Sequence, residues 1–167
     1  MIDLRIGDIL LYRPKGIFGR LIQRKTWHRI SHVEIYAGFG QSYASRDGLG
    51  VNIYPVRLTE LAYVLRPTMA LDVEAGRKYV ESMKGTPYGW LDLLDFAGFN
   101  VDRKGIICSA FATEYLRAAG WHVFPTDEAR YVSPFQFLDL VGNGCTIAYG
   151  PDPKIPDVPA TAIGKAA

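Results

Sequence analysis

Apolar and polar positions alternate along the first third of the chain, and the period then lengthens to that of a helix. Ile9-Leu-Leu-Tyr12 is a short apolar run opened by Gly7-Asp8 and stopped by Pro14 and Gly16, which predicts a strand. Ser31-His-Val-Glu-Ile-Tyr-Ala37 alternates and ends at Gly38, predicting a second. Neighbouring side chains on a strand point to opposite faces, so His32, Glu34 and Tyr36 share one face and Val33, Ile35 and Ala37 the other. Gln41–Ser45 and Val51–Val56 read as the arms of a hairpin turning at Arg46-Asp-Gly-Leu-Gly50, and Ala62–Arg66, ended by Pro67, as one more strand.

Beyond this small antiparallel sheet the pattern is helical. Asp72 caps a predicted helix through Val73, Arg77, Val80 and Met83 that stops at Gly85. A short helix is expected over Trp90–Phe96, and another, amphipathic and basic, over 17–29 around Ile17, Leu21 and Ile22. The clearest helix runs from Cys108 to Ala119, with Gly120 in the C′ position and Phe111, Ala112, Tyr115, Leu116 and Ala119 as its buried face. Strands first and helices after predict an α+β fold. From Gly150 onward Pro151, Pro153, Pro156 and Pro159 break a stretch poor in apolar residues. The chain therefore divides into one domain, 1–149, and an extended or disordered tail, 150–167.

Composition supports that division. With 167 residues, 49% of them apolar, the chain suits one domain with a sizeable core. No apolar run approaches the roughly 18 residues of a membrane span, and the N-terminus lacks the pattern of a secretory signal, so a cytoplasmic location is expected unless another route exports the protein. Net charge is only +2, yet no acid falls between Asp8 and Glu34, where Arg13, Lys15, Arg20, Arg24, Lys25 and Arg29 accumulate. Residues 13–29 could therefore face an anionic surface, or form a solvated face neutralised from elsewhere in the fold; a specific nucleic-acid partner is not expected.

Two cysteines, Cys108 and Cys145, are too few for a disulfide framework and too far apart for a CxxC site. No HExxH or CxxC motif, phosphate loop or dinucleotide fingerprint is present, so neither metal nor cofactor is expected. Cys145 reads as a small buried hydrophobe. Cys108 differs, because it opens a helix where unpaired N–H groups and the positive end of the dipole favour thiolate. A thiolate nucleophile needs a base that also returns a proton to the leaving group. Of His28, His32 and His122, His32 stands on a convincing strand with a carboxylate, Glu34, on its own face.

The order of these segments is similar to that of a known group. Gly7-Asp8-Ile9-Leu10, Ser31-His32-Val33-Glu34-Ile35-Tyr36, Val64-Leu65-Arg66, Lys84-Gly85-Thr86-Pro87-Tyr88-Gly89-Trp90 and then Cys108-Ser109-Ala110-Phe111 together resemble the circularly permuted papain-like hydrolases of the NlpC-type superfamily, in particular the YaeF/YiiX-like branch. The lecithin:retinol acyltransferase group is a more distant relation. The resemblance covers about residues 6–140. It implies a papain-like core with the cysteine helix packed on the histidine sheet, Cys108 as nucleophile, His32 as base and Tyr88 as an oxyanion donor. Such enzymes usually take the residue that orients the histidine from the following strand, where this chain offers Ala44 and Ser45 with Asp47 just beyond; Glu34 is preferred for that role. The implied activity is a thiol amidase or peptidase on an amide substrate such as a cell-wall peptide. Alternatives are a lipid acyl hydrolase or acyltransferase, or a binding module that keeps the fold without turnover. On this reading Glu34→Gln should cost less activity than His32→Ala.

Overall fold

Residues 2–13, 30–89 and 105–151 are described by the computed structural model, and every segment of alternating pattern among them becomes a strand. These are β1 (Ile9–Tyr12), β2 (His32–Gly38), β3 (Gln41–Arg46), β4 (Gly50–Pro55) and β5 (Leu61–Pro67). A sixth, β6 (Cys145–Tyr149), joins them from the far end of the domain. The sheet runs β4-β3-β2-β1-β5-β6, with each neighbouring pair antiparallel. The expected hairpin turn is tighter than its sequence suggests: Arg46 and Gly50 pair with each other, so both belong to strands.

Two α-helices lie among the described residues, α1 (Val73–Met83) and α2 (Cys108–Ala118). The fold is mixed α+β. Asp72 caps α1 by accepting the Ala75 N–H at 2.9 Å. Helix α2 ends on Gly120 at φ +88°, and the Trp121 N–H reaches back to the Leu116 carbonyl at 2.8 Å, so a left-handed residue closes the last turn. No described helix is long and apolar enough to cross a membrane.

The two faces of the sheet differ. Ile9, Leu11, Val33, Ile35, Val51 and Leu65 pack under the helices, with Phe111, Ala112, Tyr115 and Leu116 of α2 fully buried among them. Burying a large apolar side chain of this kind stabilises by roughly 1.5–3 kcal/mol, which fixes α2 on β2 and β3. Helix α1 contributes Gly76 and Val80 to the buried region. A Cβ on Gly76 would lie 2.6 Å from the Tyr115 ring, so the two helices touch at that glycine. The opposite face has a smaller apolar cluster of Leu10, Tyr12, Leu61 and Val64. His32 and Glu34 are buried beside it. The expected helices at 17–29 and Trp90–Phe96, the basic residues beyond Arg13, His28 and most of the tail lie outside the described residues. Gly150 and Pro151, where the tail was expected to begin, are exposed.

Candidate active site

The chain enters α2 through Ile107, whose extended backbone (φ −77°, ψ 161°) delivers Cys108 as the first helical residue. Its thiol is buried under β2. The backbone N–H groups of Val33 and Ser109 both point at the sulfur, one from the sheet and one from the opening turn of the helix. Burial alone would push this thiol up. The charge and hydrogen bond of the His32 imidazole, followed by the two N–H groups, outweigh it and hold the thiol below its ordinary value.

His32 begins β2, where it pairs with Tyr12 of β1. Its Nε2 lies 2.9 Å from Oε1 of Glu34, two residues along the same face, which leaves Nδ1 for the sulfur. Burial opposes a charge on the ring. The thiolate and then Glu34 prevail, and the imidazole is raised to about 9. The environment therefore favours imidazolium beside thiolate.

Glu34 is completely buried, unlike an ordinary surface carboxylate. Arg46 of β3 grips it with both ends of its guanidinium, Nε to Oε1 at 2.8 Å and Nη2 to Oε2 at 3.1 Å. Arg57 donates to Oε1 at 3.2 Å, Tyr12 Oη to Oε2 at 3.1 Å, and Ser42 Oγ makes a close hydrogen bond to Oε2. Burial would raise the carboxyl, but His32 and Arg46 hold it well below the usual carboxylate range. The phenol of Tyr12 is correspondingly pushed up, by burial first and then by Glu34.

Tyr88 comes to the same sulfur from the loop after α1. Burial, the Cys108 charge and a hydrogen bond to Cys108 raise its phenol well above the ordinary value, so it remains a donor. This loop is clamped on two sides. Val51 N–H donates to the Thr86 carbonyl at 2.8 Å, and Ile106 N–H donates to the Pro87 carbonyl at 3.1 Å. Both contacts need missing side chains: a Cβ on Gly50 would fall 2.3 Å from the Thr86 oxygen, and one on Gly105 would fall 2.7 Å from the Pro87 oxygen. Gly50 also has φ +73°, where a side chain would be strained.

Cys108, His32, Glu34 and Tyr88 thus meet at one place. Of the residues considered for orienting His32, Glu34 makes the hydrogen bond. Asp47 stands exposed in the turn after β3, where it feels the charge of His32. Ser45 is turned to the other face and donates to the Ile106 carbonyl at 2.6 Å, tying β3 to the approach to Cys108. Cys145 is a buried thiol, pushed up to about 12 by burial and then by Asp8. Among the described residues no cluster of His, Cys, Asp and Glu could hold a metal. The sequence reading missed Arg46, Arg57, Tyr12 and Ser42. A signal existed for two of them: a tight turn at Phe39-Gly40 sets the β2–β3 register, which places Ser42 opposite Tyr36, and the alternation of β3 puts Arg46 on the same face as Ser42. No protein-family model matches the chain, and no curated protein matches it.

Proposed function

We propose that the protein is a cysteine hydrolase of the circularly permuted papain-like kind, an amidase or peptidase that works through an acyl-enzyme on Cys108. The observation that carries this reading is one sulfur shared by an imidazole and a phenol at the opening of a helix, with a buried carboxylate behind the imidazole. The finer fold assignment is supported by chain order: the histidine strand precedes the cysteine helix, as the permuted arrangement requires.

The chemistry follows from these positions. The Cys108 thiolate attacks the substrate carbonyl carbon, and the carbonyl π pair moves onto oxygen. The Tyr88 hydroxyl and a backbone N–H at the opening of α2 stabilise that oxyanion, a donor there being worth about 3 kcal/mol of barrier. When the carbon–nitrogen bond breaks, its electron pair leaves with nitrogen, which takes the His32 proton. Neutral His32 then removes a proton from water as the oxygen attacks the thioester. Collapse breaks the carbon–sulfur bond, releases the acid and restores thiolate beside imidazolium. Glu34 keeps Nε2–H in place throughout.

The test is labelling with a panel of acyl-type electrophiles, read by mass spectrometry. An adduct on Cys108 that disappears in His32→Ala is expected, with peptide-like reagents preferred. Preference for long-chain acyl reagents would shift the substrate class to lipids. Labelling that spares Cys108, or that ignores His32→Ala, would overturn the hydrolase.

A further inference from the structure

Strand β3 ends on a cation, Arg46, on the face that carries Glu34. Its guanidinium spans both oxygens of Glu34, continues to the Pro55 carbonyl at 2.8 Å, and stacks 4.4 Å above the Tyr54 ring. Arg57 reaches the same carboxylate from the segment after β4, with its guanidinium 5.0 Å over the Tyr12 ring and a second tie to Glu60 at 3.3 Å. A lone carboxylate two residues from its histidine on one strand has rotamer freedom and a tendency to protonate when buried. A bidentate, planar, permanently charged partner removes both.

We propose that Arg46, assisted by Arg57, is a positioning residue that acts on the His32–Cys108 pair through Glu34, holding that carboxylate fixed and anionic under the imidazole. The proposal rests on the hydrolase reading above. The groups facing Glu34 are Tyr12 from β1, His32 from its own strand, Ser42 and Arg46 from β3, and Arg57; those facing His32 are Cys108 from α2, Tyr12 and Asp47. With two cations on it, Glu34 cannot take the imidazolium proton, so its role is orientation. Charge and geometry are separable here: Lys at position 46 keeps the first and loses the fork.

The experiment is the pH dependence of Cys108 alkylation by iodoacetamide, site-resolved by mass spectrometry, in wild type, Arg46→Gln, Arg46→Lys and Arg57→Gln. Wild type is expected to show an acid limb well below that of a free thiol. In Arg46→Gln that limb should move up by about one pH unit, because Glu34 now protonates within the range and ceases to support the imidazolium. Turnover of whichever electrophilic substrate labels Cys108 should fall roughly ten- to a hundredfold in kcat, with KM little changed. Arg46→Lys should restore the limb but not the rate. Arg57→Gln, at a more exposed position, should move the limb the same way by less, and it stands in if Arg46→Gln does not fold. An activated wild-type thiol with unmoved limbs in every folded variant overturns the positioning role. A wild-type limb at the free-thiol position instead overturns the hydrolase reading on which it rests.

Discussion

Glu34 shows how far burial can change what a residue is for. In sequence it is one polar position in an alternating strand, and nothing in that pattern says that two arginines, a tyrosine and a serine close over it. Its substitution therefore acts on the fold as well as on the site. Glu34→Gln leaves Arg46 largely buried with its main counter-charge gone, and breaking such a pair costs about 3–5 kcal/mol. A fall of that size in the urea-unfolding free energy is expected, larger than for His32→Ala. Because the folded carboxyl lies below its unfolded value, its stabilisation is present above roughly pH 4.3 and is lost as pH falls through the folded value. Urea midpoints measured down the acid range should drop in wild type and flatten in Glu34→Gln. Turnover has its own pH window: it should rise as Cys108 ionises, below the ordinary thiol range, and fall as His32 loses its proton near 9. Rates across pH 4 to 11 would show both limbs. Cys108→Ala should abolish turnover yet melt within a few degrees of wild type, since it removes one small buried atom; a collapse in stability would make the residue a core element only.

At the scale of elements, the sequence was legible where one period ran long enough. Helix α2 has three turns of apolar spacing and a glycine stop, and its five expected contact residues are all buried. Strand β6 is five residues between a glycine-rich turn and a proline-rich stretch, with only Cys145 fully buried, so its pattern carries too little contrast to register. The loop bearing Tyr88 was likewise visible as a turn, but its clamps depend on residues brought together by pairing. Ser45→Ala removes the tie to Ile106, a net loss of about 0.5–1.5 kcal/mol. Gly50→Ala should be more damaging to turnover than to melting temperature, because the clash falls on the Thr86 backbone that carries Tyr88. A KM-against-kcat comparison of the two variants would check this: Gly50→Ala should lose kcat, and equal losses in both would argue against a role for the loop.

The described sheet joins distant parts of the chain, with its first and last strands flanking β5. Truncation before Cys145 should uncover the β5 ladder and Leu65, giving a chain that aggregates or fails to unfold cooperatively by circular dichroism. The separation of His32 from Cys108 has a consequence for how the protein is born. A ribosome adds about 5–20 residues each second, so His32 is synthesised roughly 4–15 seconds before Cys108. Until α2 has been made and has docked on β2, His32 has no thiolate to balance it and Cys108 has no imidazolium to ionise it. On the proposed hydrolase reading, the sulfur is thus switched on by completion of the fold, and a nascent or misfolded chain carries only an ordinary cysteine.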